Sequence, residues 1–253
     1  MGKSEIKIEL MIHDLKVPIS VIDAGVQSLL NRPDSYGPLT DKQIKVLKRI
    51  LRNTNNTKRI VNDVLELGRS SEGIMIYQDT FVSLMVSEVL IEVLDLSDTK
   101  TAEQIRKSTN LQETQNAADK NGFSIIIEKE LWNKKLYLDE TKIKQILRNL
   151  VTNALKFRHE RIEIVCELKD NHLFLAVKDD GKGIALADHK KIFNSYFTSG
   201  SSINNIVESH GIGLAGVLVL IKDMGGELTL KSDEGKGAEF LVKIPLKKNT
   251  CNN

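Results

Sequence analysis

Cysteine is nearly absent from this 253-residue chain. Cys166 and Cys251 are the only two, and neither stands in a CxxC pair, so there is no disulfide framework and a reducing compartment is the natural setting. The five histidines form no His/Cys cluster of zinc-ligand spacing. An excess of charge of either sign is also lacking: 36 basic residues face 34 acidic ones, for a net +2, which argues against a dedicated nucleic-acid binder. No apolar run reaches membrane-spanning length. The first sixteen residues, MGKSEIKIELMIHDLK, carry charges throughout and have no signal-peptide core. There is no internal repeat and no long low-complexity tract. What remains is a soluble, cytoplasmic, globular chain, 41% hydrophobic and 28% charged.

The first 73 residues read as two helices. Apolar residues at Ile8, Met11, Ile12, Leu15, Ile19, Ile22, Val26, Leu29 and Leu30 recur at steps of three and four, giving a broad apolar stripe. Pro18 should kink this helix, because it removes a backbone donor. NRPDSYGPLT (31–40) is a turn-rich connection, and Thr40 or Asp41 caps a second helix. That helix places Leu47, Leu51, Thr54, Lys58, Val61 and Leu65 on a heptad seam with polar interruptions, and Gly68 and Gly73 mark its end. One hairpin cannot bury a stripe on both helices. Pairing with a second copy completes a four-helix bundle, so a homodimer is expected; the alternative is packing on the rest of its own chain. Within the first helix, His13 and Asp14 stand together in HDLKVP. Taken by themselves, they read first as a surface histidine beside a surface acid.

Residues 74–248 change pattern. IMIYQDTFV (74–82) alternates like a strand, Leu84–Leu94 reads as a helix, and 95–121 is polar and helix-compatible. FSIIIEKEL (123–131) is a strand and Leu136–Leu138 a short one. Glu140–Phe157 is a strongly periodic helix. RIEIVCELKD and HLFLAVKDD form an antiparallel pair across Asp170–Asn171, Ala215–Met224 is a helix, and the last strands turn at Asp233–Gly237. The fold class is therefore α+β: an antiparallel helical hairpin (1–73) followed by an α/β sandwich with one helical layer (74–248).

Four short segments carry chemistry. In QILRNLVTNALKF (145–157), Asn149 and Asn153 are four apart on one helix face, with Lys156 close by. Asparagine is a poor helix-interior residue, whereas its amide oxygen can ligate Mg²⁺ and a lysine can offset phosphate charge. Two solvent-facing asparagines would be the plain alternative. VKDDGKGI (177–184) ends a strand, where Gly181 and Gly183 permit a tight turn and a carboxylate could accept from an exocyclic amine; an ordinary Asp-Gly turn reads the same way. SHGIGLAG (209–216) opens a helix, and backbone N–H groups there favour phosphate. DEGKGAEFLVKIP (233–245) reads mainly as a hairpin turn.

In this order the segments resemble the ATP-binding domain of sensor histidine kinases, within the wider ATPase family that includes DNA gyrase and MutL. NLVTNALK is similar to the N box, DDGKGI, GIGLAG and GKGAEF to the three glycine boxes, and IFNSYF (192–197) to the F box before an ATP lid. LDETKIKQIL also matches upstream of the N box, and HDLKVP resembles the phosphoacceptor H box of the dimerisation hairpin. The resemblance covers about residues 5–247. It implies ATP and Mg²⁺ as cofactors. Asp179 would accept from the adenine amino group, with Gly181 and Gly183 beside it. Asn153 would hold Mg²⁺ with Asn149, and Lys156 would face the phosphates. Gly211 and Gly213, with Leu214, would line the triphosphate beside a lid at Thr198–His210. His13 would be the nucleophile, Asp14 would orient it or take its proton, and the phosphoryl group would pass to an aspartate of a response-regulator receiver domain.

Several departures matter. Val17 stands where phosphatase-active families carry Thr or Asn, so phosphatase activity should be weak. Ala215 replaces a usual glycine of the second box. The 95–118 segment is longer than is usual, either a surface excursion or a docking element. No sensor segment precedes His13, so input from a separate sensor protein, or from a longer chain, is expected. The alternative functional reading is a degenerate kinase acting as a phosphotransfer or signalling adaptor. A gyrase-type ATPase is disfavoured because Asn149 stands where those proteins carry a catalytic glutamate.

Overall fold

The computed structural model describes residues 5–71, 74–95, 98–194 and 213–247, with side chains of the first helix described from Asp14 onward. The chain divides into two compact units between Glu72 and Gly73.

The first unit pairs α1 (Glu5–Asn31) with α3 (Asp41–Ser71) across a connection that holds one helical turn, α2 (Pro33–Tyr36). Thr40 and Gln43 form a capping box: the Thr40 hydroxyl accepts from the Gln43 N–H at 3.3 Å, and the Gln43 side chain accepts from the Thr40 N–H at 2.8 Å. Ile19 buries against Val61, and Lys58 reaches Asp23 at 2.6 Å. Partners that climb one helix descend the other, so the pair is antiparallel. The polar seam positions are satisfied locally: Thr54 is buried and donates to the Ile50 carbonyl at 3.0 Å, while Lys58 is neutralised across the hairpin. Pro18 lies inside α1, which is assigned as one continuous helix. α3 ends at Ser71, between Gly68 and Gly73, the two glycines expected to mark its end. A single glycine costs a helix about 1 kcal/mol relative to alanine, which a helix of this length absorbs.

The second unit contains β1 (Gln78–Phe81), α4 (Val82–Leu94), α5 (Thr99–Lys107), α6 (Leu111–Asp119), β2 (Phe123–Ile127), α7 (Lys129–Trp132), β3 (Lys135–Leu138) and α8 (Glu140–Phe157). Then come β4 (Ile162–Lys169), β5 (His172–Asp179), a 3₁₀ turn at Leu186–Asp188, α9 (Lys191–Asn194), α10 (Gly213–Asp223), β6 (Glu227–Ser232) and β7 (Ala238–Pro245). The main sheet runs β2-β4-β5-β7-β6, with β2 and β4 parallel and the other pairs antiparallel; β1 and β3 form a separate ribbon. Alternate residues of β5 (Leu173, Leu175, Val177) and β7 (Phe240, Val242, Ile244) bury beneath the helical layer. Asp170 and Asn171 take φ of 48° and 59°, the left-handed pair that a two-residue hairpin requires.

Helix α8 is the centre of that layer. Ile143, Ile146, Leu147, Leu150, Val151 and Ala154 are buried between α4, α10 and the sheet. Fully burying a leucine or isoleucine contributes about 1.5–3 kcal/mol. Asp139 caps the helix by accepting from the Lys142 N–H at 3.1 Å.

Element ends shift from the sequence reading. The strand expected over 74–82 shrinks to four residues, β2 ends at Ile127 with α7 following, and α10 begins two residues before Ala215. The polar 95–118 region is a packed pair of helices. Asp98 caps α5 and accepts from Thr101 and Asn121, and the Gln115 amide donates to the Ile125 carbonyl at 2.7 Å, which covers part of the open edge of β2. Cys166 is buried, and burial pushes its thiol up to about 12; Cys251 lies outside the described residues. No helix among the described residues is long and apolar enough to cross a membrane.

The burial of α8 predicts a contrast. Leu150→Ala should cost about 2–5 kcal/mol, whereas Leu84→Ala, at a position 52% exposed on α4, should stay within about 0.5 kcal/mol of wild type. Urea unfolding midpoints would separate the two.

Candidate functional site

The face of α8 that is not spent on the core carries the polar residues. Asn149 is buried, and its Nδ2 donates to the Gln145 carbonyl at 2.9 Å. That bond orients the amide, so Oδ1 turns away from its own helix backbone. Asn153, one turn later, is half-buried, and Lys156 is exposed with its Nζ 5.4 Å from the centre of the Phe157 ring. Periodicity therefore delivers two amides and an ammonium along one edge of α8.

The adjacent acids Asp179 and Asp180 have opposite fates. Asp179 is the last residue of β5, buried, with Oδ1 accepting from the Gly181 N–H at 2.9 Å. Burial pushes its carboxyl above the usual carboxylate range, although the Gly181 and Ala238 N–H groups pull the other way. Asp180 is exposed and accepts from the backbone N–H groups of His159, Glu160 and Arg161 at 2.9–3.1 Å. Desolvation opposes its ionisation, but these donors outweigh it and hold the carboxyl below its ordinary value. Asp180 thus ties the turn after β5 to the loop leaving α8, a role that sequence reading missed because nothing in a DD pair says which carboxylate turns inward.

The glycine turns then lock the site. A Cβ on Gly181 would stand 2.1 Å from the Phe157 carbonyl oxygen, so the turn touches the end of α8. Gly183 has φ of +69°, and a Cβ there would stand 1.9 Å from the Asp233 carbonyl oxygen; one on Gly237 would stand 2.0 Å from that of Asp179. Between these turns, Gly235 N–H donates to the Lys182 carbonyl at 2.7 Å, and Ile184 N–H to the Ser232 hydroxyl at 2.8 Å. The 235–240 segment is therefore a brace for the first glycine turn. Gly213, with φ of +66°, opens α10, with Leu214 half-buried after it; α10 packs on α8.

The structure brings together Asn149, Asn153 and Lys156 on α8, Asp179 and Gly181 at the end of β5, and Gly213–Leu214 on the helix packed beside them. Gly211, His210 and the expected lid lie outside the described residues, as does the side chain of His13, whose backbone is in α1. Asp14 is exposed. The other histidines have local settings: His172 Nδ1 and His189 Nε2 lie 2.7 and 3.1 Å from the Asp170 and Ile184 carbonyl oxygens, and His159 is exposed. Among the described residues no group of three or more His, Cys, Asp or Glu side chains is placed to hold a metal.

Lys142 was also missed. It is fully buried, and its Nζ donates to Asp223, to the Ile74 carbonyl at 2.8 Å and to the Met75 sulfur at 3.1 Å. The available signal was its position: Lys142, Ile146, Leu150 and Ala154 share one stripe at steps of four.

Two family models match the chain. The "His Kinase A (phospho-acceptor) domain" matches residues 10–73, and the "Histidine kinase-, DNA gyrase B-, and HSP90-like ATPase" matches residues 138–248. The sensor protein SrrB of Staphylococcus aureus is 24% identical over 239 residues, which are 92% of this chain and 36% of that protein. The chain thus spans about a third of the length of the curated relatives it matches. Among solved structures, full-length ShkA in complex with AMPPNP superposes with a TM-score of 0.63 at 20% identity, over 96% of this chain and 46% of that one. The Acinetobacter baumannii histidine kinase AdeS does so with a TM-score of 0.53 at 19% identity, over 93% of this chain and 98% of that one. At those identities the likeness is one of fold. The two family matches, in this order and together covering more than half of the chain, place the protein in the sensor histidine kinases, with a phosphoacceptor hairpin joined to a nucleotide-binding α/β domain.

Proposed function

We propose that the chain binds ATP with Mg²⁺, transfers the γ-phosphoryl group to His13, and passes it to an aspartate on a response-regulator receiver domain. The observation that carries this reading is the buried Asp179 carboxylate, held by the Gly181 N–H at the end of β5 where that turn meets the end of α8. A buried acid with so little water around it fits a ligand N–H, and the adenine amino group supplies one. The fold likeness to ShkA, a protein solved with AMPPNP, supports the same ligand class.

Roles follow from chemistry. Asn149 and Asn153 present amide oxygens, which suit a hard cation that keeps phosphate and water oxygens in its shell. Mg²⁺, when bound there, would neutralise charge on the phosphates. Lys156 would add a second positive charge from the same helix, and Gly211, Gly213 and Leu214 would approach the triphosphate at the start of α10. His13 attacks as the neutral imidazole, so Asp14 would orient the ring or accept its proton as the phosphoryl group arrives. Val17, exposed one turn after His13, cannot position a hydrolytic water, which supports weak phosphatase activity.

A second copy of the chain would complete the hairpin. Leu15 and Ile22 flank the buried Ile19–Val26 stripe on α1, and Val46 and Ile50 share a face on α3; all four are exposed. This reading predicts a homodimer that Ile22→Glu with Ile50→Glu converts to monomer, as measured by light scattering.

With γ-labelled ATP and Mg²⁺, the wild-type chain should acquire acid-labile, base-stable phosphate, and both His13→Ala and Asn153→Ala should lose it. Label surviving in His13→Ala would move the acceptor, and ATP binding without label would point to an adaptor.

Asp179 sets a pH dependence. Its pKa is raised by burial, so the accepting carboxylate is lost on acidification at a higher pH than a solvent carboxylate would be. ATP affinity should weaken as pH falls through that raised value. Asp179→Asn should weaken binding at pH 7 by about tenfold or more, the worth of one hydrogen bond to a charged group, and should flatten the pH profile. Titration of nucleotide binding against pH in both proteins checks this.

A further inference from the structure

The most unusual group outside the nucleotide site is the ammonium of Lys142, fully buried in the first turn of α8. Three elements meet on it. Asp223, the last residue of α10, accepts from Nζ, as does the Ile74 carbonyl at 2.8 Å, and the Met75 sulfur lies at 3.1 Å. Three residues earlier, the Asp139 carboxylate accepts from the Lys142 N–H on one oxygen and from the Ile76 N–H, at 2.9 Å, on the other. Two buried charged residues of one helical turn therefore grip the segment by which the chain enters the second unit. Tyr77 continues the attachment by stacking on Tyr137, with ring centres 5.5 Å apart.

The joint lies at the start of α8 and the end of α10, two helices that pack on each other. Away from it, each leads to a segment of the proposed nucleotide site. Asn153 is eleven residues along α8 and Gly213 ten residues back along α10, which are about 16 Å and about 15 Å of helix respectively. A shift of the Ile74 carbonyl changes the environment of the buried ammonium, and the ammonium holds Asp223. Because a buried charge left without its partners is costly, the three ligands are not adjusted independently.

We propose that Lys142 is a positioning residue that couples the entry segment, Ile74–Tyr77, to the nucleotide site by setting α10 against α8. The coupling rests on the ATP-binding reading given above. By reciprocity, nucleotide bound at the far ends of the two helices tightens the grip on the entry segment, and displacement of the entry segment weakens nucleotide binding by the same factor.

The Ile76 N–H, held by Asp139, is the natural reporter. Hydrogen exchange on the whole chain, with and without AMPPNP and Mg²⁺, should show protection at the Asn149–Lys156 segment. It should also show about fivefold or greater slowing at Ile76. The pair Lys142→Met with Asp223→Leu replaces the buried ammonium and its partly exposed carboxylate partner by apolar groups of similar size, an exchange that ion-pair sites commonly accept. It should keep protection at the asparagine segment and reduce the slowing at Ile76 to less than about twofold. Protection at the asparagine segment with none at Ile76 in the wild-type chain would overturn the coupling while leaving the ATP reading intact. So would equal slowing at Ile76 in the double variant. Protection nowhere would overturn the ATP reading and the coupling with it.

Discussion

Helix α8 has to satisfy two solvents at once. Its apolar stripe fills the core between the sheet and two other helices, and the edge beside that stripe carries two amides and an ammonium. Nearly every functional feature of the second unit is placed by that packing. The asparagine edge is aimed because Ile146, Leu147, Leu150 and Val151 leave α8 no freedom to rotate. The turn after β5 is located by contact with the helix's last carbonyl, that of Phe157. The cap and first turn of the same helix hold the incoming chain. A rotation by one residue would cost several buried side chains, so site and core share one constraint.

The glycine turns apply a second constraint of a different kind. At Gly181, Gly183 and Gly237 a Cβ would stand about 2 Å from a backbone oxygen, closer than any side chain can be tolerated. Gly183 and Gly237 also have left-handed φ. These glycines do not merely permit bending. They let three stretches of backbone touch, and the contact fixes where Asp179 ends and which way it faces.

Charge burial separates residues that look alike in one dimension. Asp179 is desolvated and accepts from the N–H groups of the glycine turns, whereas Asp180 is exposed and spends its oxygens on three backbone N–H groups in a neighbouring loop. Lys142 and Lys156 lie on one helix, one buried against an acid and a carbonyl, the other at the surface. Their roles differ because of what surrounds them, since the side chains themselves are the same.

Hydrophobic period and local turn chemistry together determined much of this protein. The paired N-terminal helices, the length of α8, the β4–β5 hairpin at Asp170–Asn171 and the ordered glycine segments were all legible, because each depends on near neighbours and on the conformational limits of single residues. Element ends moved where tertiary contact outweighed local preference: the strand pattern over 74–82 shortened to Gln78–Phe81, and the helix-compatible 95–118 region became two helices because Thr101, Ala102, Ala117 and Ala118 found a surface to bury against. Only the tertiary structure decided which aspartate of the DD pair is buried, that the third glycine segment braces the first, and that Lys142 joins two helices to the entering chain. Those outcomes depend on which groups lose water and which backbone atoms meet, and both are set by contacts between residues far apart in the chain.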